Sequence, residues 1–276
     1  MQKVATFEEL AARRDEDLDV ALGAALIAKD VYPDVDVAKL LARFDELAKP
    51  LVASAFAERP ARGQADGLAH YLYDACGFSG NEADFYDPRN SLLPDVLDRR
   101  LGIPISLALV YCEVARRAGI SARGVAFPGH FLVRIDAPKE DALMVDPFFG
   151  GRALDDASLK QILTRVTGED RPVLPHYLEP ATSRGMLVRM LVNLRAIYLS
   201  RGDMARAMLA VDRMLCLTPD APEPLRERGL LSMRLGAVEA ARSDLERFLE
   251  IAPDAQDAPA IRARLKELSS KPRLTN

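Results

Sequence analysis

The chain has 276 residues, 49% of them hydrophobic, which is enough for one large or two ordinary domains and excludes general disorder. Its 37 basic and 41 acidic residues leave a net charge of −4, so nothing in the balance favours a polyanion, and nucleic acid is not an expected partner. Cys76, Cys112 and Cys216 are too few and too widely spaced for a disulfide framework or a CxxC metal site, and neither metal nor cofactor is expected.

The opening segment, Met1 to Asp19, is charged throughout and lacks the apolar core of a secretory signal. No stretch approaches the roughly 20 uninterrupted apolar residues that cross a bilayer. A cytoplasmic protein with no membrane partner is the expectation. From Leu18 to Phe56 apolar residues recur at helical spacing (Leu22, Ala25, Leu26, then Val37, Leu40, Leu41, Phe44, Leu47), with Tyr32-Pro33-Asp34 as the break between two amphipathic helices. A third helix, Ala65 to Cys76, is closed by Gly77.

The loop Asp87-Pro88-Arg89-Asn90-Ser91 leads into a short helical pattern through Val96 and Leu97, then Gly102-Ile103-Pro104. Proline suits the first turn of a helix, where its missing N–H has no intrahelical partner. Ile105 to Ala118 therefore reads as a largely apolar helix, stopped by Gly119 and buried in its domain. Extended segments follow at Ala122–Phe127, Phe131–Ile135 and Leu143–Val145, separated by Pro128-Gly129 and the polar stretch Ala137–Asp141. Helices followed by an antiparallel meander indicate an α+β domain. Gly150-Gly151 is too short for a phosphate loop and reads as a turn.

A Pro-containing stretch, Arg171 to Pro180, is the expected linker, giving domains at 1–175 and 182–270. Past it, Gly202 and Gly236, Ala207 and Ala241, Leu215 and Leu249, Pro219 and Pro253, and Asp220 and Asp254 are each 34 residues apart. That is the tetratricopeptide period. Two repeats and a last helix, Ala260–Leu268, bury little alone, so the array is expected to pack on the N-terminal domain, with Met186–Leu199 as the docking helix.

Three histidines narrow the search for chemistry. His70 on a helix and His176 in the linker read first as surface or packing residues. His130 opens an extended segment, and Asp146 closes the next, so pairing of equal-parity positions puts both on one face. Ser106 lies near the start of the buried helix, where backbone N–H groups favour developing negative charge, although a helix-terminus serine also caps backbone. Cys112, mid-helix, reads as core. Asn90 is a candidate ligand-binding donor to an oxyanion or ligand carbonyl, with turn chemistry as its other reading. Arg99 and Arg100 read as solvated surface.

The run NSLLPDVLDRRLGIPISLALVYCEVARRAGI, followed by GVAFPGHFLVRID and VDPFFGG, resembles the SirB-type family of transglutaminase-like proteins with C-terminal tetratricopeptide repeats. The resemblance covers nearly the whole chain and implies a papain-like transglutaminase domain with an antiparallel sheet, then an α-helical repeat array. In the wider superfamily a cysteine opening a helix, a histidine on a following strand and an aspartate on the next form the catalytic set. By order and element these places fall on Ser106, His130 and Asp146. Serine stands where active members have cysteine, and the chain has no tryptophan, whose indole helps to hold the oxyanion in classical transglutaminases.

Two functions stay open. One is an adaptor with a non-catalytic or weakly active domain, whose repeats bind a protein or peptide through groove residues such as Arg189, Asn193 and Arg226. The other is a hydrolase or acyl transferase in which His130 activates Ser106 and Asp146 orients His130. A Ser106 hydroxyl within reach of the imidazole and open to a pocket favours the enzyme, and a capped, solvent-excluded serine favours the adaptor.

Overall fold

The computed structural model describes residues 6–54, 56–137 and 140–270, with the side chains of 269 and 270 left aside. Met1 to Ala5 of the charged opening segment, and Pro138 and Lys139 of the expected turn Ala137–Asp141, lie outside the described residues. The chain divides into two compact units, residues 1–190 and 191–276.

The first unit opens with α1 (Phe7–Ala11), capped by Thr6 and Glu9 bonding reciprocally to each other's backbone. α2 (Val20–Lys29) and α3 (Val37–Ala53) start at the aspartate caps Asp19 and Asp36, with Tyr32-Pro33-Asp34 between them as expected. α4 (Ala61–Ala69) continues as a π-helical turn, His70–Ala75, and Gly77 at φ +76° closes it. β1 (Ser79–Gly80) runs parallel to β2 (Leu101–Gly102), bracketing α5 (Leu93–Arg99).

α6 (Pro104–Arg117) is the buried helix expected from Ile105 to Ala118, with Pro104 at its first position. It packs against α3 and against β3 (Ala122–Val125) and β4 (Leu132–Ile135), while α4 lies against β5 (Leu143–Asp146) and β6 (Arg152–Leu154). The four strands form an antiparallel meander in the order β3-β4-β5-β6.

Registers Val133↔Val145 and Arg134↔Met144 pair equal-parity residues, so alternate side chains go to opposite faces. One face carries Val133 and Val145; the other carries Leu132, Met144 and Leu154, which cluster with Leu159 and Leu163 of α7 (Asp156–Thr167). α7 is an element not anticipated from the sequence. Its signals are present: Asp155 accepts from Ser158 N, apolar residues recur at 159, 162, 163 and 166, and Gly168 closes it at φ +72°. The stretch 171–180 holds one 3-10 turn, Pro175–Leu178. α8 (Ser183–Ser200) follows, and its Leu187 reaches α2 at Gly23, where a Cβ would lie 2.5 Å from Leu187 Cδ1.

The second unit takes in the end of α8, then α9 (Met204–Leu217), α10 (Pro222–Arg234), α11 (Val238–Ile251) and α12 (Ala258–Ser270), of which α9 to α12 pack each on the next. Gly202 and Gly236 both hold left-handed φ, +73° and +79°, and Ala207 and Ala241 are fully buried. Pro219 and Pro253 follow the ends of α9 and α11. Gly229 serves the crossing of α10 with α11, because a Cβ there would meet Leu245 at 2.7 Å. Arg228 joins three helices, donating from Nε and Nη2 to the two oxygens of Asp244 at 2.7 and 2.6 Å and from Nη1 to Asp212 at 3.1 Å.

Candidate functional site

His130 lies in the bend just before β4, half-buried, and its Nε2 donates to Asp146 Oδ1 at 3.0 Å. Asp146 ends β5 and is fully buried; the same oxygen also accepts from the backbone N–H groups of Phe148 at 3.0 Å and Phe149 at 3.3 Å. The carboxylate thus fixes the imidazole and the turn after β5 together. Gly150 and Gly151 complete that turn at φ +76° and +68°, as the sequence suggests. The ring of Phe149 stacks on His130 at 6.2 Å, and Phe148 meets it edge-on at 6.3 Å.

Ser106 is held elsewhere. Ile103, at the helix N-cap, has no side-chain acceptor, and Ser106 Oγ accepts from Ile103 N at 3.0 Å while donating to Asn90 O at 2.6 Å. The serine is 2% exposed, and His130 is not among its partners. Gly102 makes room for it, since a Cβ there would come 2.7 Å from Ser106 Oγ.

Asn90 is fully buried and its amide is spent on the loop. Nδ2 donates to the carbonyls of Asp84 at 2.7 Å and Phe85 at 3.3 Å, and Oδ1 accepts from Asn81 at 3.0 Å. Asp87 caps this loop, bonding Arg89 N and the Arg89 guanidinium and pairing with Arg99 at 3.3 Å. Burial works to raise the Asp87 pKa, but the Arg89 bonds outweigh it and hold the carboxyl below its ordinary range. Arg99 and Arg100 are not a solvated pair: Arg99 serves Asp87, and Arg100 lies over the Phe78 ring at 4.6 Å.

A cavity of about 210 Å³ opens beside His130. Phe85, Phe148 and Phe149 give it aromatic walls. α7 contributes Ile162, Val166 and Arg165, none of them singled out from sequence. From α6 the lining residue is Pro104, at the helix start. Two residues advance a helix by roughly 200°, which turns Ser106 to the far side. The position that α6 presents to the imidazole therefore holds a residue with no nucleophilic atom.

The remaining candidates lie apart from this pocket. His70 is exposed and meets Asp74 at 2.9 Å; His176 is exposed beside Tyr177. Burial pushes the Cys112 thiol up, away from the reactive range. Arg189 is exposed on α8, Asn193 is half-buried one turn on, and Arg226 pairs with Asp257 on the approach to α12.

Gly80 of β1 is a structural neighbour of the site, since a Cβ on it would come 2.6 Å from the Phe148 ring and 2.7 Å from the Phe148 carbonyl oxygen. Gly80→Ala is expected to cost about 1–3 kcal/mol, because backbone cannot swing aside as a flexible side chain can. A melting curve superimposable on that of the wild type would contradict it.

Comparison with known proteins agrees with this architecture. Residues 38–192 match the transglutaminase-like superfamily, and residues 194–266 match the tetratricopeptide repeat. A UPF0162 protein of Xylella fastidiosa is 42% identical over 275 residues, covering 96% of this chain and 95% of its own. One from Pseudomonas aeruginosa is 35% identical over 246 residues, covering 89% of each chain. Protein SirB1 of Salmonella typhimurium is 24% identical over 208 residues, covering 75% of this chain and 77% of its own. The chain belongs to the transglutaminase-like superfamily, as a SirB-type member with a C-terminal tetratricopeptide region.

Proposed function

We propose that this protein is a non-catalytic adaptor: its transglutaminase-like pocket receives a ligand without turning it over, and its repeats hold a protein or peptide. The observation that carries the reading is the placement of α6, with Pro104 lining the cavity beside His130 and the Ser106 hydroxyl locked between Ile103 N and Asn90 O. General-base activation needs the nucleophile within hydrogen-bond reach of the base. For Ser106 to attack, two buried bonds must break and the side chain must leave its side of the helix.

Arg189, Asn193 and Arg226 are proposed contacts of the repeat partner, Arg226 through a guanidinium already oriented by Asp257. Among the described residues no helix is long and apolar enough to cross a membrane. We place the protein in the cytoplasm, a reading supported by Cys76, Cys112 and Cys216 standing outside any disulfide.

A serine-directed fluorophosphonate and an activated acyl donor, applied to wild type and Ser106→Ala, test the reading. No Ser106-dependent labelling is expected. Ser106→Ala is instead expected to lose about 1–3 kcal/mol of stability, because it strands a buried N–H and a buried carbonyl. Wild-type labelling that disappears in Ser106→Ala at unchanged stability would reverse the assignment.

A further inference from the structure

Resting on the reading of the cavity as a binding site, we infer that its ligand is the C-terminal residue of a polypeptide, with an apolar side chain against the aromatic walls and its free α-carboxylate toward Arg165.

Size comes first. About 210 Å³ is smaller than the roughly 300–1,000 Å³ typical of sites that enclose a whole drug-sized ligand, and it suits one large side chain. Phe85, Phe148 and Phe149 with Ile162 and Val166 make its walls apolar, so that side chain is aromatic or aliphatic.

Charge supplies the second group. Arg165 and Arg152 are exposed, and among the described residues neither has a carboxylate partner. Arg165 lines the cavity; Arg152 lies over the ring of Phe149 at 5.5 Å. Acidic residues just beyond α7 are engaged elsewhere, Asp170 by Lys160 at 2.8 Å and Glu169 by Arg171 at 2.6 Å. In a chain of net charge −4, an unopposed Arg165 guanidinium at the cavity, with a second on the ring of its Phe149 wall, is a local excess that a carboxylate answers. His130 commits Nε2 to Asp146, which leaves Nδ1 as the ring nitrogen for a ligand.

An apolar side chain and a carboxylate within one residue's reach describe a chain end. An aspartate or glutamate side chain brings no apolar group, and a fatty acid needs a longer tunnel. A free amino acid would bring its ammonium group into the field of Arg165, whereas a peptide nitrogen is neutral. Tyr86, 68% exposed and edge-on to Phe85 at 5.4 Å, extends the apolar rim toward residues preceding the last one.

The test uses the full chain and a fluorescent hexapeptide ending in phenylalanine, titrated as the free acid and as the C-terminal amide, with N-acetylphenylalanine as a competing small carboxylate. Saturable binding of the acid is expected, weakened about tenfold or more by amidation and likewise by Arg165→Glu, in keeping with loss of a charge-assisted bond. Arg165 and Arg152 are exposed, so Arg152→Glu is a second variant, and circular dichroism of both guards against misfolding.

Equal binding of acid and amide, or no binding of either, overturns the assignment. So does N-acetylphenylalanine competing as strongly as the unlabelled peptide, because the polypeptide then contributes nothing. Mass spectra of the recovered peptide separate this inference from the adaptor reading. An intact, bound peptide supports both. A bound but cleaved peptide keeps the ligand and sinks the non-catalytic reading, and no binding without Ser106 labelling does the reverse.

Discussion

Pro104→Cys is expected to produce a thiol that iodoacetamide alkylates at neutral pH at least about ten times faster than any native cysteine, in a manner that depends on His130. Residue 104 lines the cavity with the imidazole and is the first residue of a buried helix, so a sulfur there meets both an imidazole and backbone N–H groups that favour thiolate. The native thiols offer a low background: burial holds Cys112 up, and Cys76 and Cys216 are half-buried. Ser106→Cys is the control. Its sulfur would sit between Ile103 N and Asn90 O, turned from the cavity, and should alkylate no faster than the background. Rates from intact-protein mass spectrometry, repeated with His130→Ala, decide the matter. If Ser106→Cys reacts in a His130-dependent way and Pro104→Cys does not, α6 presents its third residue to the base, and the adaptor reading loses its ground.

That contrast marks where the sequence stops being informative. Gly102-Ile103-Pro104 and Gly119 set the limits of α6 to within a residue, because proline and glycine act locally on backbone. Three of the four strands of the meander were equally legible, β6 being missed, and so was the pairing of His130 with Asp146, since strand parity follows from the period of two. Which helix residue faces the base was not. Mapping by order and element places a nucleophile near the start of α6, but each step along a helix turns the side chain by roughly 100°, so an error of two residues reverses the direction. Ser106 is a hydroxyl in the right neighbourhood; its own local bonding, visible only once Asn90 is brought across, is what holds it away.

α7 was missed for a different reason. Its cap and spacing are readable, but it follows a run of strands, precedes a Pro-containing stretch and carries no histidine or cysteine to mark it as part of a site. Yet α7 provides Arg165, Ile162 and Val166, without which the cavity has neither its charge nor one of its walls. Phe148 and Phe149 were visible within DPFFGG, although nothing local says that both would meet the His130 ring.

Asp146→Ala is expected to be among the most damaging single substitutions in the first unit, lowering stability by roughly 3–5 kcal/mol. Its Oδ1 alone accepts from His130 Nε2 and from the N–H groups of Phe148 and Phe149, at a position with no solvent access. Removing the carboxyl strands those donors and releases the turn that carries two of the three aromatic walls. Asp146→Asn should lose less, because an amide oxygen can still accept at the Oδ1 place, while its NH2 would occupy the Oδ2 place, where no protein partner is within hydrogen-bond distance. His130→Ala, which empties a half-buried place without stranding a backbone donor, should lose less again. Denaturant melts of the three variants give the order. In the Pro104→Cys background, Asp146→Asn should also slow alkylation, since the carboxylate no longer holds the imidazole in place. A stable Asp146→Ala protein with unchanged alkylation would mean that the acid neither supports the turn nor positions His130, and the account of this site would fail at its base.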